Sequence, residues 1–512
     1  MRRARAGKAF RPPVRLQSYA LIFGFIAAIL LLLHGPLLDL PFYWDEIGQF
    51  VPASLDLFRA GKWIPTSTAP NVHPPGVMAY LALCWSIFGY SIQATRVAML
   101  IVAASGALVT FLLAIELARG STGVPAFAAL AMLCVSPLFY AQSMMAQLDM
   151  PAMCLSILAL LLFLQNRIRA SAIACVALVL VKETGVLVPA LFAGWVIFEQ
   201  DSWKQRAAAL WFLLPAPGLL IWLAVLHHAT GYWLGNPAFT AYNLHEPLHP
   251  VPFVLALARR IYYIFGSTGH IIGTVALIWA WRRMPLLHDR PWRIAASFVF
   301  AQLLVVSALG GAVLERYVLP ALPVVYIAFA ISLQALAAGT RQIALASLLA
   351  CLVAANFVNP LYPFPWENNL QFVSFVALEE SAANRVEQDA LILPGGGVVA
   401  TAFPVANALR NPDFGFVQSP RKVFEVTDFS APEVKKLREE MPDMVVVYRR
   451  AWDPLHLLDH AAISGFLARH YGYVPEMSAE QIAGALSMHV ARRWTRRGLS
   501  MALLERFPPV IR

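Results

Sequence analysis

Two carboxylates stand side by side, Asp45 and Glu46, in the stretch PFYWDEIGQF that follows the first long apolar run of the chain. Ionisable side chains are costly at a bilayer, and those that persist there mark binding or reaction sites by default. The same applies to His73 in a His-Pro-Pro-Gly turn, Arg96, Asp149 in LDMP, Lys182-Glu183, Arg259-Arg260, and Glu315-Arg316 in ERYVLP. A carboxylate in such a set can deprotonate or orient a nucleophile, while Lys and Arg stabilise charge developing on a phosphate leaving group. These residue types suit a reaction between a lipid-linked phosphate and a hydroxyl or amine.

The apolar runs decide whether these residues share one side. The 512-residue chain is 59% hydrophobic and 13% charged, with a mean hydropathy of +0.63, where a soluble protein carries roughly a quarter charged residues. A polytopic α-helical membrane protein follows. The net charge of +10 does not point to nucleic acid, because residues 360–512 are close to neutral and the earlier basic excess clusters at helix ends, as the positive-inside rule expects. The wholly basic start, MRRARAGKAFRPPVR, is expected on the cytoplasmic side. Residues 19–38 have no clear cleavage site and read as a retained span, so the loop 39–95 is expected outside. Within it, 76–90 is short for a span of about twenty residues and reads as a juxtamembrane or re-entrant helix. About eleven spans then lead to residue 357. Every basic loop except the Arg259-Arg260 segment lands inside, and all the candidates above land outside.

Beyond residue 358 the apolar runs stop, and 359–512 reads as a small outer α/β domain. PGGGVVATAFPVANALR predicts turn, strand and helix. Ser430 and Glu433 have capping-box spacing before a helix at 434–440, and residues 444–448 form a buried-strand run. Gly395 to Gly397 lack the Gly-Lys-Ser/Thr of a phosphate loop and read as a turn. The five cysteines fall in apolar runs without metal-ligand spacing and read as packing residues.

His245-Glu246-Pro247-Leu248-His249 fits the H-E-x-x-H pattern of zinc proteases, which needs both imidazoles on one helical face. The internal proline argues against that helix. The pair leaves room for a divalent metal held in part by His245 and His249.

In their order and shared side, WDE in the first outer loop, HPPG opening a short helix, Arg96 at a span start, LDMP, KE and ERYVLP resemble the GT-C glycosyltransferases. The branch they resemble holds the protein O-mannosyltransferases, the lipid A aminoarabinose transferase and their bacterial relatives. The resemblance covers residues 18–360. It implies a transmembrane catalytic domain at 1–358 in a bacterial inner membrane, with the domain 359–512 periplasmic. It also implies a polyprenyl-phosphate sugar donor, a lipid, glycan or protein acceptor, and an inverting single displacement. On that resemblance Asp45 is the general base and Glu46 supports the acceptor side. Arg96, Lys182 and Arg316 contact the donor phosphate, and His73, Asp149, Glu183 and Glu315 complete the substrate site. The outer domain is not the β-trefoil domain of the protein mannosyltransferases, which leaves a protein acceptor unsupported.

Other readings compete residue by residue. Asp149 before Met-Pro is a good N-cap, Lys182 and Glu183 can close a helical hairpin as an ion pair, and Arg316 can snorkel to headgroups. A transporter or flippase of lipid-linked sugars would spread polar residues through the midplane. A polysaccharide polymerase or ligase would place its basic cluster in a late loop and lack the early WDE.

Overall fold

The computed structural model describes residues 16–119 and 123–506. The basic segment 1–15, expected to be cytoplasmic, lies outside the described residues, as do positions 120–122 of the loop after the helix Ile92–Leu117. Six helices are long and apolar enough to cross a bilayer: Gln17–Leu37, Ile92–Leu117, Trp203–Thr230, Arg290–Ala308, Glu315–Ala335 and Ala338–Ala355. A bent pair, Pro250–Gly266 and His270–Trp281, meets the same test with an 83° break. Shorter apolar helices run Gly76–Phe88, Val124–Val135, Asp149–Leu164 and Ile168–Val181.

Burial orders these helices. The window in Glu315–Ala335 is 83% buried against 11% in Ala338–Ala355, so the ERYVLP helix runs through the centre of the bundle and the last helix lies at its edge. The first helix is also peripheral, exposing Leu21, Phe25 and Leu32; a helix apolar on all faces is at home where its outer face meets lipid. The short helix Gly76–Phe88 starts against the end of Ile168–Val181. A Cβ on Gly76 would lie 2.4 Å from the Leu180 carbonyl oxygen, so only glycine allows the HPPG turn to approach so closely.

After the last apolar helix, Gln371–Ala390 leads into a five-stranded sheet. The strands are β1 (Val398–Ala402), β2 (Lys422–Val426), β3 (Met444–Tyr448), β4 (Met488–Arg496) and β5 (Leu499–Arg506), in the order β2-β1-β3-β5-β4. The β1 strand is parallel to β2 and β3, while β5 is antiparallel to β3 and β4. All five residues of β3 are buried, and Gly395 to Gly397 all take positive φ in the turn before β1. The expected capping box is absent at Ser430, whose side chain caps nothing; Glu433 instead accepts from the Thr427 amide at 3.0 Å. The capping box forms at Ser478 and Gln481, a spacing the sequence reading passed over.

The sheet region clasps the loop that follows the first helix. Arg59 pairs with Asp413 through two hydrogen bonds of 2.6 and 2.8 Å, Phe42 N donates to Phe414 O at 3.3 Å, and Asn407 donates to Ile47 O at 3.3 Å. One apolar core runs from the helical bundle into the sheet.

Candidate active site

The loop around Asp45 is shaped by a backbone turn that few side chains tolerate. Trp44 sits in the left-handed region with φ 45°, a conformation that costs a non-glycine residue on the order of 1–2 kcal/mol. Its indole is held edge-on to Trp366 and Phe403, with ring centroids 6.1 and 5.6 Å away. Aromatic pairs of this kind stabilise by about 0.5–1.5 kcal/mol each, enough to offset the strain. A π-helical turn, Glu46–Phe50, follows, a feature that recurs at functional sites.

These two irregularities send the adjacent carboxylates in different directions. Glu46 is fully buried and Asp45 has 24% of its side chain exposed. Glu46 pairs with Arg96, accepts from the Ala146 amide at 2.7 Å and accepts from the Tyr43 amide at 2.8 Å. Arg96 also donates to the carbonyls of Met144, Leu40 and Pro41 and lies over the Phe42 ring. Together they fasten the loop to the segment before Asp149.

Asp45 faces a cavity of about 770 Å³ that His73, Asp149, Lys182, Glu183 and Arg316 also line. Arg316 is its hub. One terminal nitrogen donates to Asp45, the other donates to both Glu367 oxygens at 3.0 and 2.9 Å and to Gln147 Oε1 at 2.9 Å, and Nε lies 3.1 Å from Asp149 Oδ2. Lys182 donates to Asp149 Oδ1 at 2.6 Å and sits over the Tyr317 ring at 4.5 Å. His73 Nδ1 and Glu183 Oε2 are 2.8 Å apart.

The structure thus brings together six of the expected residues: Asp45, His73, Asp149, Lys182, Glu183 and Arg316. Asp149 occupies the first helical position and makes no N-cap, and Lys182 and Glu183 take separate partners instead of each other. Arg316 is buried among carboxylates, not extended to headgroups. Glu46 and Arg96, expected to contact acceptor and donor, are not in the cavity wall; they form a buried pair in which Arg96 Nε alone lacks a partner. Glu315 is likewise off the wall, accepting from Arg259 at 2.6 Å and from Asn368 at 2.8 Å, while Arg259 does line it.

His245 and His249, the optional metal ligands, lie away from the cavity. Both imidazoles are exposed, a π turn and a short 3-10 turn replace the helix that H-E-x-x-H requires, and neither residue lines the cavity. Among the described residues no three His, Cys, Asp or Glu side chains form a metal-holding set. The cavity carboxylates Asp45, Asp149 and Glu367 all face one guanidinium, so the donor set does not fit a resident divalent ion.

Glu367 went unnoticed in the sequence. It stands past the last apolar run in YPFPWENN, on the short turn Trp366–Asn368, and reaches the site through folding alone. Burial pushes its carboxyl up to about 7, against the pull of Arg316. The available signal was a lone carboxylate among aromatics and prolines at the end of a membrane helix.

No protein-family profile matches this chain, and no curated protein sequence matches it. Among solved structures it is similar to ArnT from Cupriavidus metallidurans bound to undecaprenyl phosphate, at 16% identity and a TM-score of 0.54 over 96% of this chain and 98% of that one. It is similar to the apo state of the same protein at 15% identity and a TM-score of 0.55, over 95% and 98%. The archaeal oligosaccharyltransferase AglB from Archaeoglobus fulgidus, in complex with an inhibitory peptide and a dolichol-phosphate, aligns at 11% identity with a TM-score of 0.48, over 84% and 69%. At such identity a likeness speaks to architecture, and ArnT matches end to end. This chain has the fold of ArnT.

Proposed function

We propose that this chain is a glycosyltransferase that moves a sugar from a polyprenyl-phosphate donor to an acceptor at the outer face of the membrane. The observation that carries the reading is the cavity in which a partly exposed carboxylate, Asp45, stands beside two cations, Arg316 and Lys182. Its setting fits: the fold is shared with a protein solved with undecaprenyl phosphate in place.

In this reading Asp45 takes the proton from the acceptor hydroxyl or amine as that atom attacks the anomeric carbon. The bond from that carbon to the phosphate oxygen breaks on the opposite side, giving inversion. Arg316 and Lys182 stabilise the charge left on the lipid phosphate, and His73 with Glu183 and Asp149 shapes the sugar pocket. Glu46 and Arg96 hold the loop that aims Asp45. The acceptor is a lipid, glycan or protein, and the sugar is a hexose or pentose. We further propose eleven spans, a catalytic part at 1–358 and an outer domain at 359–512, in a bacterial inner membrane with the N-terminus cytoplasmic.

Membranes holding wild type or Asp45→Asn, incubated with a panel of labelled polyprenyl-phosphate sugars, test the proposal. Wild type should turn over at least one donor and release the free lipid phosphate. No turnover across the panel contradicts it.

A further inference from the structure

Carboxylates outnumber cations at Arg316. Asp45, Asp149 and Glu367 face the guanidinium, and Lys182 adds the second positive charge. Fully ionised, this cluster carries one negative charge before any ligand arrives. A phosphodiester brings another into a site whose side chains are largely withdrawn from water, where like charges repel strongly. Arg316 also has no idle terminal nitrogen, since one serves Asp45 and the other serves Glu367 and Gln147. Arg259 and Arg450 also line the cavity, so the excess of negative charge is local to Arg316, and a phosphate that binds at that guanidinium meets like charge there and needs a free face of Arg316.

Resting on the sugar-transfer reading, we infer that Glu367 takes up one proton when the donor phosphate binds, turning Arg316 from that carboxylate to the phosphate, and returns the proton when the product lipid phosphate leaves. Two features single it out from the other two carboxylates. Its oxygens share a single nitrogen of Arg316 at 3.0 and 2.9 Å, a weaker arrangement than a two-nitrogen fork. Asp149, by contrast, is also tied to Lys182, and Asp45 must stay ionised to act as base.

The groups that face Glu367 are Asp45 and Tyr43 from the first loop, Gln147 and Asp149, and Arg316 and Tyr317. With burial holding its carboxyl at about 7, and Asp45 and Asp149 adding to the rise, a further negative charge moves it higher. The proton comes from solvent. In the transfer step itself the acceptor proton goes to Asp45 and the electron pair of the broken carbon–oxygen bond leaves on the lipid phosphate, so the Glu367 proton is not consumed. Glu367 is a positioning residue in this scheme, acting through Arg316.

Linkage sets the sign: if the complex holds one more proton than the free protein, donor affinity falls as pH rises above about 7, by up to roughly tenfold per unit. The probe is a short-chain polyprenyl-phosphate hexose, a phosphodiester with no ionisation near neutrality, titrated into the full-length protein from about pH 6 to about pH 9, with calorimetry in two buffers of different ionisation heat. Wild type should take up close to one proton per donor at about pH 8 and weaken with the stated slope. Glu367→Gln should lose both. A flat wild-type affinity, no proton uptake, or a slope retained in Glu367→Gln overturns the inference. Should Glu367→Gln fail to fold, the wild-type proton count decides alone. Absence of hexose binding at every pH overturns the sugar-transfer reading, and this inference with it.

Discussion

Asp45 and Glu46 are neighbours in sequence and opposites in structure. Glu46 meets one arginine, two backbone amides and no solvent. Asp45 meets one arginine that two other carboxylates also claim, and it opens on a cavity. Charge in a protein interior is tolerated when its hydrogen-bonding capacity is filled, and by that measure the Glu46–Arg96 pair is nearly finished, with only Arg96 Nε left without a partner, while the Asp45–Arg316 cluster is crowded with negative charge. The first arrangement holds a loop. The second is built to exchange partners.

Breaking the buried pair should have the largest effect on the fold. Glu46→Ala leaves Arg96 buried without its counter-charge, a loss of about 3–5 kcal/mol, seen as a marked drop in thermal unfolding temperature of the purified protein. The double variant Glu46→Ala/Arg96→Met should recover much of that drop, because an apolar replacement of a buried pair is often near neutral. If Glu46→Ala unfolds like wild type, the two clusters do not differ as described.

On the cavity side, Lys182→Met removes a charged hydrogen bond to Asp149, worth roughly 1.5–3 kcal/mol. That loss lowers the unfolding temperature, by less than Glu46→Ala does, and if Lys182 also contacts the donor phosphate the variant raises donor KM by roughly ten- to a hundred-fold. The smallest effect belongs to the rim. Arg59 and Asp413 join the first loop to the sheet region with Arg59 half exposed, so Arg59→Ala should cost about 0.2–1 kcal/mol and leave donor KM unchanged.

The sequence carried the loop, the cavity-facing cations and much of the sheet region, because each has a local signature. A carboxylate after an apolar run, Lys-Glu between two short apolar runs and a Pro-Gly-Gly-Gly turn before a β-branched strand are read within a few residues. What separates Asp45 from Glu46 is not local. It depends on Trp44 adopting a left-handed backbone, which rings from residues 366 and 403 hold in place. Glu367 was hidden for the same reason, since its partner Arg316 is 51 residues away and no periodicity marks a residue in a Pro-rich turn. Arg96 misled because an arginine at a helix start looks the same whether it meets a phosphate or a buried glutamate.

The most direct measurement is single-turnover transfer by Asp45→Asn at saturating donor, with donor affinity measured on the same preparation. A general base contributes about 10²- to 10⁴-fold, so transfer should slow by that factor while donor affinity does not fall and the unfolding temperature stays close to wild type. Transfer within a few-fold of the wild-type rate would contradict the account.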